Sequence, residues 1–546
     1  MTRLFLVFLI SIPVLTGLVF LQVTEEWVAR YDGPANNGDH ASAMAIDESG
    51  NVYVTGNSFA SGTMHDYTTI KYDANGDTVW VRRYNGPENN QDYPYAIAVD
   101  NAGNVYVTGQ IADTVTASAC VTVKYNSVGE GQWLARYIGT HLGSNDDPRA
   151  IAVDDSGNVY VTLQSLFWGT GYDYTTIKYD SNGDSVWVRR YNGPTNGNDY
   201  AKAMALDDAG NVYVTGYSYY GYSTRYATVK YNTSGVQQWV AEYNGPADAY
   251  DYATAIAIDT SGNVYVTGNS RGLGTDDDYA TIKYDSNGDS VWVARYNGPE
   301  NFYDHALAIA VDNAGNVYVT GFSYSSVNDR DYVTIMYDSD GDTVWVRRYN
   351  GPYNNEDNAR AIAIDNSGNV YVTGESYGAG PGVDWDYATI KYSSTGVEEW
   401  VVRYDGPAHG EDKAVSIAVD GSGNVYVMGS SKGDGTSDDF TTIKYSQTAG
   451  IETTSQIIPD KFILLQNFPN PFNASTMIRF GLPTAAVVEI AIYNILGQKV
   501  ATLVSAKQPA GKYEVHWDAS GMASGVYLYQ LKASEYVKTR KLVYMK

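Results

Sequence analysis

Hydrophobic and polar positions between residues 27 and 445 follow one short pattern that recurs about every 53 residues. Each copy has four runs of four to seven residues, rich in Val, Ile, Thr and Tyr, and Gly, Asn, Asp or Pro separates them. In one copy the runs are Trp292–Tyr296, Ala306–Val311, Val317–Thr320, which Gly321 ends, and Asp331–Tyr337. Such runs predict β-strands, and no stretch of a copy has a helical period of 3.6 residues. Each copy therefore predicts four short antiparallel strands.

The repeat has two marks that occur in all of its eight copies. Gly-Asn-Val-Tyr-Val begins at Gly50, Gly103, Gly157, Gly210, Gly262, Gly315, Gly368 and Gly423. A tryptophan stands at Trp27, Trp80, Trp133, Trp187, Trp239, Trp292, Trp345 and Trp400. A period this regular indicates one supersecondary unit that is copied and stacked. The chain therefore predicts an all-β fold with an eight-bladed β-propeller, in which the repeated tryptophans are packing residues.

The phase of the repeat predicts how the ring closes. The alanine-rich run suits the crowded innermost strand of a blade, so the tryptophan run is the outermost strand. The first copy starts with an outermost strand, Trp27–Tyr31, and the last copy stops after a third strand, Phe440–Tyr445. We expect these two ends to pair and complete one blade, because that pairing leaves no exposed strand edge.

One motif of the repeat resembles a known family. Ala-Ile-Ala-Val-Asp-x-x-Gly-Asn-Val-Tyr-Val-Thr-Gly is nearly intact in all eight copies. It is similar to the SBBP β-propeller repeat, and the resemblance covers residues 25–446. The family name implies seven blades, whereas this chain has eight copies. The resemblance implies an extracellular propeller and brings no catalytic residues with it.

The two ends of the chain differ from the repeat. Residues 1–23 contain Arg3 and then eighteen residues without a charge, Leu4–Leu21, which predicts a secretory signal peptide. An uncleaved membrane anchor is the alternative, although Pro13, Thr16 and Gly17 weaken it. The predicted propeller then covers residues 24–446, and a polar linker covers residues 447–458. Residues 459–546 form short alternating runs that predict a small Ig-like β-sandwich.

The C-terminal segment resembles the type A C-terminal sorting domain of the type IX secretion system. Its signature residues here are Gln466, Asn467, Pro469, Asn470, Pro471, Phe472, Asn473, Gly497, Gly525 and Tyr527. The resemblance implies passage by the Sec route with a cleaved signal peptide, then export across the outer membrane. It implies two partners, the type IX export machinery and a sortase-like peptidase that removes this domain. The protein is then expected outside the cell, released or on the outer-membrane surface.

Charge and cysteine content narrow the function classes. The net charge is −26, and because residues 451–546 hold 10 Lys and Arg against 6 Asp and Glu, the acidic excess lies in the propeller. An acidic propeller repels nucleic acid and anionic membranes, so neither is an expected partner, and no stable membrane span is expected. The single cysteine, Cys120, excludes an internal disulfide and is expected in the sheet as a small hydrophobic residue. A monomer is expected.

Cationic residues recur at two positions of the repeat. The third strand has Lys71, Lys124, Lys178, Lys230, Lys283, Lys391 and Lys444, with Met336 interrupting the series. The outermost strand has Arg30, Arg83, Arg136, Arg190, Arg295, Arg348 and Arg403. A single active site would not be copied seven times, so the regularity predicts ion pairs between strands or blades.

Variable aromatic residues point to a binding face. Two loops of each copy reach one face of a propeller: Gly-Pro-x-x-x-x-Asp before the innermost strand, and the segment between Val-Thr-Gly and Asp-Tyr. Fourteen of the 50 tyrosines lie outside the repeated positions, in or at the edge of those loops. The candidate aromatic residues are Trp168, Tyr172, Tyr200, Tyr219, Tyr220, Tyr222, Tyr252, Tyr303 and Trp385. Their ring faces suit stacking on sugars.

Aspartates repeat on the same predicted face. The last residue of the Gly-Pro loop is Asp39, Asp92, Asp199, Asp251, Asp304, Asp357 or Asp412, with Asp146 as the counterpart in the divergent third copy. Each carboxylate either accepts backbone N–H groups of its own loop, or contributes to a cation or polyhydroxyl site at the mouth of the channel.

Calcium is a second open possibility, and otherwise no cofactor is expected. The turns Asp285–Asp289 and Asp338–Asp342 hold oxygen ligands around a glycine, with Asp285, Asp289, Asp338 and Asp342 as candidate ligands. The same turns are also typical hairpin turns, because Asn-Gly between strands favours them.

Three functions remain after these exclusions. The aromatic loops favour a non-catalytic binding or adhesion module, with polysaccharide or surface glycan as its ligand. Near-identical copies fit a passive surface scaffold equally well. A carbohydrate-active enzyme is the third alternative, because loop carboxylates are plentiful. The six histidines are scattered and no Gly-x-Ser-x-Gly motif is present, so zinc chemistry and a serine nucleophile have no support.

Overall fold

Antiparallel strands dominate the computed structural model of the chain. The structure describes residues 20–113, 117–139, 144–326, 329–378, 384–450, 461–467, 470, 472, 475–519, 522–534 and 536–545. Contacts divide the chain into two units, Leu21–Thr448 and a second unit that contains Ala449–Lys546. Each unit is described by itself below.

The first unit begins with β1 (Phe20–Tyr31), and seven sets of four consecutive strands follow. Blades 1 and 2 are β2 (Asp39–Ile46), β3 (Val52–Ala60), β4 (Met64–Tyr72), β5 (Thr78–Tyr84), and β6 (Asp92–Val99), β7 (Val105–Ala112), β8 (Ser118–Tyr125), β9 (Gly131–Tyr137). Blades 3 and 4 are β10 (Asp146–Val153), β11 (Val159–Phe167), β12 (Gly171–Tyr179), β13 (Ser185–Tyr191), and β14 (Asp199–Leu206), β15 (Val212–Tyr220), β16 (Ser223–Tyr231), β17 (Gln237–Tyr243).

The remaining blades repeat the same order of strands. Blades 5 and 6 are β18 (Asp251–Ile258), β19 (Val264–Arg271), β20 (Asp277–Tyr284), β21 (Ser290–Tyr296), and β22 (Asp304–Val311), β23 (Val317–Ser326), β24 (Asp329–Tyr337), β25 (Thr343–Tyr349). Blade 7 is β26 (Asp357–Ile364), β27 (Val370–Tyr377), β28 (Trp385–Tyr392) and β29 (Glu398–Tyr404). Blade 8 contains β30 (Asp412–Val419), β31 (Val425–Lys432) and β32 (Asp438–Gly450).

Strand β1 completes blade 8 and closes the ring. The last sheet has the order β1-β32-β31-β30, so the N-terminal strand is its outermost strand. Innermost strands contact their neighbours around the ring, and β2 of blade 1 contacts β30 of blade 8. Within the described residues the propeller thus has eight four-stranded blades, and the predicted closure between the two chain ends is confirmed.

Two strand boundaries differ from the sequence prediction. In blade 6 the innermost strand starts at Asp304 rather than Ala306, and the second strand continues past Gly321 to Ser326. Gly321 pairs in register with Val333, so this glycine does not end the strand. A Cβ there would lie 2.0 Å from the backbone oxygen of His305 on the innermost strand of the same blade and 2.9 Å from the hydroxyl of Tyr279 in the preceding blade.

The chain ends of the propeller also extend beyond the predicted boundaries. Strand β1 starts at Phe20, inside the segment predicted as a signal peptide, and residues 1–19 lie outside the described residues. Strand β32 continues to Gly450, into the segment predicted as a linker. Residues 451–458 of that linker, and residues 459–460 after it, lie outside the described residues.

The repeated tryptophans and lysines join each blade to the next. Trp292 Nε1 and Lys283 Nζ both donate a hydrogen bond to the backbone oxygen of Ser339, at 3.1 Å. Equivalent bonds run from Lys71, Lys124, Lys178, Lys230 and Lys444, and from Trp27, Trp80, Trp133, Trp187, Trp239 and Trp345. The tryptophans are therefore packing residues, as predicted.

The repeated arginines form ion pairs inside the blades. Arg83 donates to Asp66 of the adjacent third strand and to the hydroxyl of Ser58 on the second strand, at 2.9 and 2.7 Å. Ion pairs at the same position join Arg30 to Asp439, Arg190 to Asp173, Arg295 to Asp278, Arg348 to Asp331, and Arg403 to Asp386. In blade 2 Ala119 stands at this position of the third strand, and Arg136 pairs instead with Asp113, which follows the second strand. The predicted pairing between strands is confirmed for arginine, whereas most of the lysines bind backbone oxygens of the next blade.

The second unit is a small sandwich of two sheets. One sheet has the order β33 (Ile463–Leu464), β34 (Ser475–Leu482) and β37 (Gly511–Asp518). The other has the order β36 (Lys499–Gln508), β35 (Ala486–Asn494), β38 (Gly525–Ala533) and β39 (Tyr536–Tyr544). One buried cluster contains side chains from both sheets, among them Ile478, Ile490 and Leu531. The chain is all-β, and no helix in its described part could cross a membrane.

Candidate functional site

Every innermost strand of the propeller has a β-bulge at its fourth residue. The register with the second strand shifts between the third and fifth residues, for example between Ala201 and Ala203. A bulge turns the extra residue away from the regular alternation of the strand. The bulge residues are Ser42, Tyr95, Arg149, Lys202, Thr254, Leu307, Arg360 and Val415. This position holds seven different residue types in the eight blades, with arginine in blades 3 and 7.

Two further variable positions lie beside the bulge. The second residue of each innermost strand is His40, Tyr93, Asp147, Tyr200, Tyr252, His305, Asn358 or Lys413. Its register partner on the second strand is Asn57, Gln110, Gln164, Tyr217, Asn269, Phe322, Glu375 or Ser430. Together with the bulge residues we call these the channel-mouth positions, because they belong to the strands that surround the channel.

Tyrosines at the channel mouth of blades 3 to 5 form one continuous surface. The ring centre of Tyr200 lies 5.4 Å from that of Tyr172, 5.2 Å from that of Tyr217 and 6.1 Å from that of Tyr219. Tyr217 then meets Tyr252 of the next blade edge to face, at 4.7 Å. All five side chains are partly exposed. We call these five residues the tyrosine surface; Tyr250 extends it by stacking on Tyr252 at 6.1 Å.

Polar atoms on this surface remain available to a ligand. Among the described residues, no hydrogen-bond partner is assigned to the hydroxyl groups of Tyr200, Tyr217 and Tyr219, whereas the Tyr172 hydroxyl accepts from Asn145 Nδ2 at 3.0 Å. Burial and the neighbouring tyrosines raise the pKa of Tyr217, and burial raises that of Tyr200. These phenols therefore stay protonated at neutral pH and act as hydrogen-bond donors and acceptors.

Cationic side chains lie directly beside the tyrosine surface. Lys202 Nζ is 5.4 Å from the ring centre of Tyr217, within the range of a cation–π contact. In blade 3 Arg149 forms an ion pair with Asp147, and its guanidinium carbon is 5.9 Å from the ring centre of Tyr95. Both cations are the bulge residues of their innermost strands, two positions after the channel-mouth residues Asp147 and Tyr200.

The other predicted aromatic residues lie apart from the tyrosine surface. Tyr220 packs on Arg225 at 4.1 Å and hydrogen-bonds Glu242 of the outermost strand. Tyr222 and Trp168 lie at or beside the tips of hairpins and are 97% and 83% exposed. Two more candidates belong to separate aromatic pairs, since Tyr303 contacts His305 and Tyr324, and Trp385 contacts Tyr377. The structure thus brings together Tyr172, Tyr200, Tyr219 and Tyr252, and not the other five.

The eight repeated aspartates are buried rather than exposed at the channel mouth. The eight aspartates begin the innermost strands, and each is at most 1% exposed: Asp39, Asp92, Asp146, Asp199, Asp251, Asp304, Asp357 and Asp412. Each accepts a hydrogen bond from the backbone N–H of its own loop glycine at 2.5–2.8 Å. The alternation of the strand turns this first residue inward. Of the two roles that the sequence left open, the structure therefore supports the one in which each aspartate accepts a backbone N–H group of its own loop.

Burial also changes the acidity of these aspartates. It is the largest cause that raises the pKa of Asp92, Asp199, Asp304, Asp357 and Asp412 to about 6. The pKa of Asp39, Asp146 and Asp251 is raised in the same direction by burial. Desolvation penalises the ionised carboxylate, and one glycine N–H does not fully compensate for it.

The calcium candidates lie in ordinary hairpin turns. Asp285 Oδ1 accepts the backbone N–H groups of Asn287 and Asp289 at 2.9 and 3.0 Å. Asp338 does the same for Asp340 and Asp342, at 3.1 and 2.9 Å. The first aspartate of each turn thus binds its own backbone. In the described part of the chain, three carboxylates converge at two other places, Asp32 with Asp39 and Asp439, and Asp386 with Asp405 and Asp412.

Three of the seven described sorting-signature residues, Asn467, Phe472 and Tyr527, are buried, whereas Gln466 and Gly497 are exposed. Asn467 is 2% exposed, its backbone N–H donates to the Tyr529 hydroxyl, and its Nδ2 donates to Thr476, both at 2.9 Å. Phe472 packs against Trp517 and Tyr544 in the core. Tyr527 joins the same core, Gly497 lies in a hairpin turn, and Gly525 begins a strand. Gln466 and Asn470 approach the backbone oxygen of Lys541. Pro469, Pro471 and Asn473 lie outside the described residues.

Sequence analysis missed three members of the site. Tyr217 lies among the variable loop tyrosines but is not one of the nine aromatic candidates. Arg149 and Lys202 lie in the alanine-rich runs, whose pattern predicts only a small and apolar innermost strand. A column-by-column comparison of the eight copies carries the signal that would have found them, because these columns vary while their neighbours repeat.

Comparisons with known protein families agree with this architecture. Residues 466–545 match the family described as a secretion system C-terminal sorting domain. Six segments match the β-propeller repeat family: residues 79–112, 133–162, 186–220, 238–274, 344–380 and 402–435. The chain is a β-propeller repeat protein with a type IX sorting domain. The sorting domain indicates export and a place at the cell surface for this β-propeller protein.

Individual relatives are distant. An uncharacterized WD repeat-containing protein of Acanthamoeba polyphaga mimivirus is 23% identical over 459 residues, 68% of this chain and 31% of the viral protein. The chain thus spans about a third of the length of that relative.

Solved structures resemble the β-propeller protein only weakly. PorZ, a surface component of the type IX secretion system of Porphyromonas gingivalis, is 15% identical, with 92% of this chain and 70% of PorZ covered and a TM-score of 0.37. The WD40 domain of SCAP from fission yeast is 10% identical, with 78% and 98% covered and a TM-score of 0.41. Similarities at this level carry no argument about ligand or activity.

Proposed function

We propose that this protein is a non-catalytic carbohydrate-binding module of the cell surface, and that its propeller holds sugar rings on the tyrosine surface of blades 3 to 5. The single observation that carries the proposal is the unbroken series of ring contacts from Tyr172 through Tyr200 and Tyr217 to Tyr252. This series joins three consecutive blades at the channel mouth, so it offers a longer aromatic surface than one blade could.

The chemistry of the tyrosine surface matches what a sugar ring presents. The C–H face of a pyranose is apolar and stacks on an aromatic ring. The hydroxyl groups of the sugar need hydrogen-bond partners, and the phenol groups of Tyr200, Tyr217 and Tyr219 supply them. A polysaccharide repeats both features along its length, which suits a surface that extends over several blades.

Burial of the repeated carboxylates supports binding rather than catalysis. A glycosidase needs two carboxyl groups that reach the scissile bond. The aspartates that the repeat brings to the channel mouth are at most 1% exposed and bind backbone N–H groups. Near the tyrosine surface, Asp147 is engaged by Arg149 and Gln164. These contacts leave a binding role as the stronger proposal.

The proposal is tested by measuring polysaccharide binding of two tyrosine variants. Tyr217→Ala removes the ring that contacts Tyr200, Tyr219 and Tyr252, and we expect roughly a tenfold loss of affinity, since a stacked ring contributes up to about 1.5 kcal/mol beyond the area it buries. Tyr222→Ala removes an equally large ring of the same blade, 97% exposed at the hairpin tip, and is the matched control.

The readout is affinity electrophoresis of the purified protein through gels that contain neutral and acidic polysaccharides, with circular dichroism to check the fold. Retardation that Tyr217→Ala abolishes and Tyr222→Ala preserves supports the proposal. If no polysaccharide retards the wild-type protein, or if both variants bind like the wild type, the tyrosine surface is not a carbohydrate site and the scaffold hypothesis takes its place.

A further inference from the structure

We infer that the site prefers an anionic sugar unit, whose carboxylate or sulfate is bound by Lys202 and Arg149. The inference rests on the proposed function, because it names the kind of sugar that the tyrosine surface would hold. Both cations are bulge residues of adjacent blades, at the inner edge of the tyrosine surface. A sugar ring stacked on Tyr217 would therefore place a charged substituent within their reach.

Lys202 is a half-buried cation that forms no direct ion pair among the described residues. In the described part of the chain, no carboxylate lies within 4 Å of its ammonium group, and the ring of Tyr217 is its closest assigned partner. Burial and the positive charge of Arg149 lower the pKa of Lys202, while Asp147 acts in the opposite direction. An ammonium that is desolvated beside a second cation gains more from a bound anion than one that is already paired.

Arg149 and its neighbours contain buried polar atoms without partners. In the described structure, Arg149 Nε, Asp147 Oδ1 and Gln164 Oε1 make no hydrogen bond, and the Gln164 side chain is almost fully buried. Their remaining atoms are engaged, since Gln164 Nε2 and Arg149 both donate to Asp147 Oδ2. A bound anion would accept from the guanidinium of Arg149, whose side chain is 30% exposed.

The charge at this place is unusual for the protein. The whole chain has a net charge of −26, yet Arg149, Lys202 and Asp147 leave one positive charge in excess at the channel mouth. The other cations at channel-mouth positions are paired: Arg360 with Glu375, and Lys413 with Glu411. Blades 3 and 4 therefore present the attractive site for an anion, while the acidic surroundings repel anions elsewhere.

The chain supplies its own variant and a matched control. Lys202→Thr introduces the residue that blade 5 has at the bulge, Thr254, so the substitution is compatible with this backbone. Lys413→Ala removes the same charge from blade 8, which lies four blades away and hence across the ring. Thermal melting of both variants checks that each remains folded.

The experiment measures the affinity of the full chain for dextran, polygalacturonate and dextran sulfate at fixed ionic strength. We expect the wild type to bind one of the two anionic polymers at least tenfold more tightly than dextran. Lys202→Thr is expected to lose that preference, and Lys413→Ala to keep it. Preference for polygalacturonate identifies a carboxylate as the bound group, and preference for dextran sulfate identifies a sulfate.

Three results would overturn the inference. If the wild type binds all three polymers with equal affinity, the site has no preference for an anionic sugar. If Lys202→Thr keeps the preference of the wild type, Lys202 does not bind the anionic group. Equal losses in Lys202→Thr and Lys413→Ala would indicate a general charge effect rather than a site. If dextran binding still depends on Tyr217 in any of these cases, the proposed function survives alone. If no polymer binds at all, both proposals fall together.

Discussion

Cys120 of blade 2 and Leu163 of blade 3 share one buried cluster at the interface between these blades. At six of the other seven interfaces this place holds a tyrosine and a glycine, and between blades 8 and 1 it holds Phe440 and Gly56. Between blades 3 and 4, Tyr174 donates to the backbone oxygen of Ala227 at 3.1 Å, and a Cβ on Gly216 would lie 2.7 Å from its hydroxyl. The usual interface has the large residue on the first blade and the small one on the second. Here the small Cys120 is on the first blade and the large Leu163 is on the second.

We expect the two positions to be strongly coupled in stability. Cys120→Tyr alone overpacks the interface beside Leu163 and costs about 1–3 kcal/mol, and Leu163→Gly alone leaves a cavity and costs roughly 3–5 kcal/mol. The double variant restores the tyrosine–glycine pair of the six other interfaces, so it should be more stable than the sum of the single changes predicts. Denaturant unfolding of all four proteins measures the coupling. Additive losses would mean that the two side chains do not share one space.

The buried aspartates predict a protein that is more stable in mild acid than at neutral pH. Five of them, Asp92, Asp199, Asp304, Asp357 and Asp412, have a pKa of about 6 in the folded chain, compared with about 3.9 when unfolded. A raised folded pKa stabilises the fold fully below the unfolded value, and this stability is lost as the pH rises through the folded value. We therefore expect the melting temperature to fall between about pH 4 and pH 6.5.

An amide substitution separates this effect from general charge repulsion. Asp199→Asn keeps an oxygen for the backbone N–H of Gly193 but cannot ionise, so the decline of the melting temperature with pH should become shallower. Asp184→Asn, in an exposed hairpin turn, removes the same charge and should leave the slope nearly unchanged. Equal flattening by both substitutions would attribute the pH dependence to net charge alone.

Gln447 replaces a backbone carbonyl at the last blade interface. Its Oε1 accepts from Lys391 Nζ at 2.7 Å and from Trp400 Nε1 at 3.3 Å, the two donors that bind a backbone oxygen elsewhere. Gln447→Ala leaves both without this acceptor, and we expect a loss of about 1–3 kcal/mol in the free energy of unfolding. Gln238→Ala, whose exposed side chain bonds only its own turn, is the control and should cost less than about 0.5 kcal/mol.

Asn467 tests whether the sorting signature acts through folding or as an exposed signal. Asn467→Ala removes the buried hydrogen bond from Asn467 Nδ2 to Thr476 and should destabilise the sorting domain by about 1–3 kcal/mol. Less protein should then reach the surface of cells that have the type IX machinery. Gln466→Ala changes an exposed signature residue and should affect both less. Blocked export in Gln466→Ala, with normal export of Asn467→Ala, would contradict a folding role.

Local pattern was sufficient for the architecture of this protein. The period of about 53 residues determined the strands, the eight blades and the closure of blade 8 by the strand that contains Trp27, because each of these depends on how apolar runs and turn residues follow one another. The recurrence of Arg83 and its equivalents also predicted ion pairs, since a contact made once per blade must appear once per repeat. Tyr200 and Tyr252 were identifiable as variable residues for the same reason.

Only the tertiary structure decided which side chains meet and which are hidden. Asp199 and Lys202 belong to the same short strand, yet the aspartate is buried while the lysine is partly exposed and contacts the ring of Tyr217, because the packed ring decides which face of the strand is covered. Tyr217 meets Tyr252 although 35 positions separate them in the chain, because adjacent blades bring their second and innermost strands together. Burial and contact between distant strands depend on the packed ring, which no local pattern contains.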